Sequence, residues 1–392
     1  MIKKIKEKQP TMSKPLEPVI NELEPCPNGT EYNFYFGPAH PGSGNFGVKL
    51  IIDGEKVVSA RADPGYLHRG FEKLMEYRTP IQNAVLSDRL CVLEPLNWNL
   101  VHAEAVDELM DIQVPERAKY IRVIMAELSR IQSHIIWYGV FSKAIGFDTG
   151  FKMAFGYRDY ILDVFELITG GRVYPTGYIC PGGVRRDFPS SAKEKIVHVI
   201  DKMKEMIKLG ELGNPAMAAR TQDIGVLDMK VAIRLGATGP VLRGSGMKTD
   251  VRKDEPYEIY DQLDFEIPIR KQGDAYARYW VGIEEMKQSI AIIRQALDIL
   301  PQGEVIAAKY QKPKITMKIP EGEVYVRNEI ARGEAAFYLA SDKNGRILRS
   351  KIRGPDFLHM IPVLEYLLQG KQIADIPAIY WSLNICPADM DR

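Results

Sequence analysis

Cysteine is scarce in this chain. Four residues of 392 carry a thiol, Cys26, Cys91, Cys180 and Cys386, and they are widely scattered. Four is the bare number that a four-iron cluster takes, and none of the usual cluster-binding spacings is present. An excess of either charge is also missing: 52 Lys and Arg face 51 Asp and Glu, a net charge of +1. With no dense Lys/Arg cluster, nothing points to nucleic acid as a partner. No apolar run approaches the roughly 20 residues that span a bilayer. The nearest, "AKYIRVIMAELSRIQSHIIWYGVF", is broken by Arg122, Glu127 and Arg130. No secretory apolar core follows the Lys-rich start "MIKKIKEKQ", so a reducing compartment without disulfides is expected. Any work at a membrane is then done through a partner.

What is present suits a large globular protein, 45% hydrophobic and 26% charged. Residues 1–30 are Lys-, Glu- and Pro-rich and read as an extended arm, with Met12 a second candidate start. "YNFYFG" and "GVKLIIDGEKVVSARAD" alternate as strands, turning at Asp53-Gly54. From about residue 68 the pattern becomes helical. "VPERAKYIRVIMAELSRIQSHIIWYGVFSKAIG" starts at Pro115 and is apolar on more than one face, so it predicts a long, buried central helix. Further helices are predicted over roughly 150–169, 190–209, 226–235, 276–299 and 355–369, and "RGEAAFYLASDKNGRILRSKIRG" reads as a hairpin turning at Asn344-Gly345. With no repeat or clear linker, residues 31–392 read as one domain, mainly α with small β-sheets.

The last residues, "NICPADMDR", hold Cys386 and Asp389 three apart, behind the apolar run "IADIPAIYWSLNI". Upstream, "SDRLCVLEPLNW" holds Cys91 and Glu94 at the same spacing. In a helix or tight turn, i and i+3 share a face. Each pair alone reads most simply as a buried structural cysteine. Together they are expected to fold into one constellation of two thiols and two carboxylates.

"RLCVLE" and "NICPADMDR" resemble the paired C-x-x-C motifs of nickel–iron hydrogenase large subunits. "GPAHPGSGNFGVKLIIDGE", "DPGYLHRGFEKLMEYRT", "YICPGGVRRD", "TGPVLRGSGMKTDVRKDEPYEIYD" and "KIRGPDFLHMIPVLEYLLQGKQIADI" resemble the related catalytic-core subunit of respiratory complex I. The resemblance runs from about residue 34 to residue 392. It implies a long-helix bundle flanked by antiparallel strands.

The departures from both relatives carry the functional expectation. The resemblance places Cys91 and Cys386 at the two terminal nickel-ligand positions. Glu94 and Asp389 stand where hydrogenases have bridging cysteines. Carboxylates are harder ligands and supply no bridging sulfur, so no nickel–iron centre and no hydrogenase activity are expected. The quinone-binding tyrosine of complex I is matched by Val92, whereas its quinone-contacting histidine is matched by His40. One cysteine in each pair is the pattern of the archaeal membrane-bound oxidoreductases that reduce sulfane sulfur (polysulfide). That resemblance implies electrons from reduced ferredoxin, passed through four-iron four-sulfur clusters in partner subunits. It also implies a small iron–sulfur subunit, further hydrophilic subunits and antiporter-like membrane subunits that move ions. This chain itself would bind no cofactor and sit peripherally on the cytoplasmic face of the membrane. A quinone-reducing subunit and a non-catalytic coupling scaffold are the competing readings.

Three further residues enter the expected site. Glu72, in "HRGFE", matches the proton-relaying glutamate of hydrogenases; the alternative is an ion pair with Arg69 or Arg89. His40 is either a quinone-contacting group or a plain loop histidine. Arg353, in "KIRGPDF", would draw an anionic polysulfide. Arg243, Asp250, Arg252, Lys253 and Asp254 read as a structural charge network or as subunit-interface contacts. Gly244 and Gly246 lack the third glycine and the βαβ setting of a nucleotide loop. Cys180 reads as structural.

Overall fold

The computed structural model describes residues 31–40, 42–211, 215–311 and 317–392. The expected arm and Cys26 lie outside the described residues. β1 (Glu31–Phe36), β2 (Gly47–Asp53) and β3 (Lys56–Asp63) form an antiparallel sheet in that order, turning at Gly54-Glu55, with Gly54 at φ 59°. α1 (Phe71–Glu76), α2 (Pro80–Ser87) and α3 (Pro95–Leu109) follow.

α4 (Glu116–Ala144) is the expected central helix, with Pro115 at its N-cap. Every residue from Tyr120 to Gly139 is buried. That is why its apolar positions show no single face: α3, α5 (Asp148–Thr169) and the helix Ala275–Asp298 pack around it. α6 (Ala192–Glu211) covers α5 and that same helix.

A burial this complete puts charge in the interior, where it must be paired. Arg243 contacts Glu285 and Glu329 at 2.7 Å each, and Arg252 contacts Asp250 at 2.6 Å and Glu127 at 3.0 Å. Arg243, Asp250 and Arg252 thus form the anticipated network, while Lys253 and Asp254 stay on the surface.

β4 (Ile179–Cys180) and β5 (Gly183–Val184) make a short ladder that the sequence pattern does not announce. The expected hairpin is β7 (Gly333–Ser341) and β8 (Ile347–Arg353), but a third strand, β6 (Gly322–Ile330), completes the sheet. The β6–β7 turn, Ala331-Arg332, is driven deep into the molecule. Gly333 has φ 134°, and a Cβ added at Gly239 would lie 2.3 Å from the Gly333 Cα. Only two glycines allow that approach.

The helix expected over 355–369 is interrupted. Asp356–Leu358 leads into a π turn, His359–Val363, which carries Pro362, before Leu364–Leu368 resumes. Proline cannot donate to the preceding turn, and a π turn accommodates the lost bond. Among the described residues no helix is long and apolar enough to cross a membrane.

Candidate functional site

Cys91 to Glu94 form a tight turn between α2 and α3, with Glu94 as the N-cap and Pro95 opening the helix. Cys386 has the same role for the last helix, Pro387–Asp391: it is the N-cap, Pro387 follows, and Asp389 lies in the first turn. Two similar turns therefore present thiol and carboxylate on one side each. Folding brings them together. The two sulfurs are 3.1 Å apart, although 295 residues separate them. Both cysteines are free and buried.

A residue that the motifs did not reveal sits at the centre. Arg332, fully buried in the β6–β7 turn, places Nη2 3.0 Å from the Cys91 sulfur and 3.2 Å from Asp389 Oδ2. Its Nε lies 3.0 Å from Asp356 Oδ2, and its Nη1 donates to Ser133 Oγ at 3.1 Å. Glu94 accepts from the Ala331 N–H at 2.5 Å and keeps its other oxygen 3.6 Å from Arg332. Asp356 is the second unforeseen member, accepting from the Cys386 N–H at 2.9 Å. One guanidinium thus gathers three carboxylates and a thiol pair.

The charge balance of this cluster sets its chemistry. Burial works against the Arg332 charge, but Cys91, Glu94, Asp389 and Asp356 more than compensate and hold it protonated. Burial pushes the Cys91 thiol up, and its hydrogen bond to Cys386 adds to that. Accepting that bond holds the Cys386 thiol below the ordinary range, against burial, with help from Arg332 and the Ala388 N–H. The bond therefore runs from the Cys91 thiol to the Cys386 sulfur, and Cys386 is the more acidic of the two. Burial pushes Asp356 up to about 7, and burial with Asp356 alongside pushes Asp389 well above the carboxylate range. The interaction between the two carboxyls lowers Asp356 and raises Asp389, so Asp389 is the last to ionise.

The raised Asp356 has a measurable consequence. The folded Asp356 holds its proton up to about 7, against 3.8 for an unperturbed aspartate, so between those values the folded state binds more protons. Stability contributed here is present at low pH and declines as pH rises through that window. The groups facing Asp356 are Arg332, Asp389, Cys386 and His359. Burial, with Arg353 and Arg332 nearby, keeps His359 neutral, down at about 3. Asp356→Asn should flatten the decline in melting temperature between about pH 4 and pH 7. An unchanged slope in an assembled variant would contradict this assignment.

The remaining expected residues lie elsewhere. Glu72 is not a raised-pKa relay. Burial would raise it, but the Ile352 N–H, Lys351 and Arg392 lower it on balance. Its partners are Arg349 at 2.6 Å, with Lys351 and Arg392 at 3.0 Å each, rather than Arg69 or Arg89. Arg353 points to Glu334, 3.0 Å away, and does not join the thiols. The cation felt by both sulfurs from the surface is Arg69, packed on Phe71 and donating to the Leu90 carbonyl at 3.3 Å. Tyr174 also feels Cys91, and Arg89 lies 5.1 Å over its ring. His40 is an exposed loop residue whose Nδ1 accepts from the Gly42 N–H at 3.0 Å. Val92 reaches the surface beside Cys91, and no phenol stands at that position.

A nickel–iron centre does not fit this donor set. Glu94 and Asp389, which the resemblance matches to bridging cysteines, offer carboxylates, and a guanidinium already occupies the space among them. Two cations in one buried pocket would repel each other. Among the described residues no His, Cys, Asp or Glu group is arranged to hold a metal ion.

Two family models together match residues 69–392. Residues 69–143 match the nickel-dependent hydrogenases, and residues 144–392 match the 49 kDa subunit of the respiratory-chain NADH dehydrogenase. A subunit of the NADH-quinone oxidoreductase of Thermosipho melanesiensis is 40% identical over 92% of this chain and all of the relative. The corresponding subunit of the F(420)H(2) dehydrogenase of Methanosarcina mazei is 39% identical over 94% of this chain and all of its own. In three dimensions the chain resembles a subunit of the membrane-bound sulfane sulfur reductase, an archaeal respiratory membrane complex, with a TM-score of 0.88. Identity there is 40%, over 96% of this chain and all of the other. The hydrogenase-like, complex I-like fold read from the motifs is thus the observed one, and the chain belongs to the 49 kDa family of respiratory complex core subunits.

Proposed function

We propose that this chain is the catalytic-core subunit of a membrane-bound complex that reduces sulfane sulfur, with electrons from reduced ferredoxin and coupling to ion movement. It would sit on the cytoplasmic face, held by an iron–sulfur subunit and antiporter-like membrane subunits. The observation that carries this reading is the thiol pair, buried and 3.1 Å apart, with Cys386 the more acidic thiol. The likeness to the sulfane sulfur reductase supports it. The absence of a phenol at Val92 counts against quinone.

Thiolates attack sulfur–sulfur bonds. The Cys386 thiolate attacks a sulfane sulfur of the polysulfide. A Cys386 persulfide forms, and the shortened polysulfide leaves with the electron pair. Cys91 gives up its proton and attacks the Cys386 sulfur. The Cys91–Cys386 disulfide forms, and hydrosulfide departs carrying that proton. Two electrons, which the partner's clusters would supply, cleave the disulfide; the Asp356–Asp389 carboxyl pair passes a proton to Cys91 and takes up another from solvent. Each cycle consumes two electrons and one proton and shortens the polysulfide by one sulfur, released as hydrosulfide. Arg332 stabilises the anion on the sulfurs throughout.

The test is the purified native complex, assayed with reduced ferredoxin against polysulfide, quinone and protons. Sulfide production without hydrogen evolution is expected. Stoichiometric nickel, hydrogen output, or quinone reduction with no polysulfide turnover would overturn the reading.

A further inference from the structure

A cavity of about 680 Å³ is bounded by α3, the start of α4, β6 and the segment 255–258. Its wall carries five carboxylates: Glu104, Asp107, Glu108, Glu255 and Glu258. The cations beside them are already engaged. Arg122 is paired with Asp107 at 2.8 Å and Glu258 at 2.7 Å, and Arg327 is paired with Glu255 and Glu334. Lys119 contacts Glu116 at 2.9 Å.

Two acceptors in this wall have no partner. Asn328, 2% exposed, donates through Nδ2 to Glu104 Oε2 at 2.6 Å. That bond leaves Asn328 Oδ1 and Glu104 Oε1 buried and without a hydrogen-bond partner. Buried polar atoms are rarely left so, because each forfeits its hydration with nothing in return. Both atoms belong to side chains lining the cavity.

We propose that this cavity is a socket for a partner subunit's arginine, whose guanidinium seats between Glu104 Oε1 and Asn328 Oδ1. A carboxylate and an amide tied edge to edge offer two adjacent acceptors, which matches a planar fork of donors better than a point charge. A metal ion is a poorer occupant, since no metal-holding group exists among the described residues. The rim suits a protein interface. Tyr325 is 55% exposed at the mouth, beside Arg327, and aromatic and arginine residues are enriched where subunits meet. The chain's family works in multi-subunit complexes, so such a surface is needed. Burial and the nearby Glu258 push Glu104 well above the carboxylate range in the free chain. An incoming guanidinium reverses that and pairs with the anion.

The socket also touches the thiol site through the backbone. Asn328 faces the cavity, Glu329 pairs with Arg243, and Arg332 meets Cys91, all on one five-residue stretch. A docked partner braces the strand end that carries Arg332.

The test uses the assembled complex. A photoreactive phenylalanine analogue in place of Tyr325 should cross-link to a single partner segment with an arginine within a few residues. Glu104→Gln should then speed dissociation of that partner by about 30-fold or more, as for truncation of one half of a buried charge pair. Pairing Glu104→Arg with a glutamate at the partner's arginine should restore retention. Unchanged melting of the Glu104→Gln chain shows that the socket alone is affected. No cross-link, a cross-link to a segment without arginine, or wild-type dissociation of Glu104→Gln would each overturn the proposal.

Discussion

Arg332→Met should be the most damaging single substitution in this chain. Methionine roughly keeps the volume of the side chain, so the loss is chiefly the charge. Three carboxylates and the thiol pair then share one buried pocket with no cation inside it. Breaking a buried pair by removing one partner costs about 3–5 kcal/mol, because the remaining charges stay uncompensated in low dielectric. The carboxyls respond by taking up protons, so the penalty grows as pH rises. Melting of the assembled variant should therefore fall steeply between about pH 6 and pH 8. The thiols change too. Both sulfurs lose a cation that lowers their pKa, so alkylation of the pair by iodoacetamide should slow by about tenfold per pKa unit gained. Arg332→Lys keeps the charge without the fork and should recover stability only in part. Wild-type melting of Arg332→Met at the alkaline end would show that the guanidinium does not hold the site together.

The second large effect separates the two thiols. On the proposed mechanism, Cys386→Ser removes the nucleophile and should lower polysulfide turnover by about 10³-fold or more, the scale seen when an essential nucleophile is lost. Cys91→Ser should be equally inactive in steady state, but for another reason. Its Cys386 still attacks, and the cycle stops at the persulfide because nothing resolves it. Mass spectrometry of the Cys91→Ser chain after one exposure to polysulfide should find one added sulfur on the peptide holding Cys386. The Cys386→Ser chain should carry none on Cys91, whose thiol is held up by burial. Full turnover in both assembled variants would remove the thiols from the reaction and leave the partner's cluster as the reducing group.

Much of this architecture is legible in the sequence, and the failures share a cause. α4 is visible because twenty consecutive buried positions leave a long apolar pattern opening at a proline. The pairs Cys91/Glu94 and Cys386/Asp389 are visible because i, i+3 spacing acts within a single turn. Arg332 and Asp356 are not. A charged residue in a two-residue turn between strands ordinarily faces water, and only the close approach of Gly239 to Gly333 drives this one inward. In "KIRGPDF" the arginine drew the functional reading, yet the aspartate three positions on is the one that enters the site. Glu72 misleads for the same reason. Its three cations arrive from 277, 279 and 320 residues away, and no local pattern announces them. β6 escapes notice because its alternation mixes charged and apolar residues as a solvated loop does.

The separation of the two sulfurs also bears on how the protein matures. Closing a loop of 295 residues by chance is entropically unfavourable in an unfolded chain. The pair meets only after the last helix has docked and the β6–β7 turn has delivered its cation beside them. Until then each thiol is an ordinary, unactivated cysteine. The hydrogen bond that lowers the Cys386 thiol is therefore made only on completion of the tertiary structure, which also encloses both thiols. The rate at which the two thiols become mutually reactive during refolding is, in effect, a clock for the final step of folding.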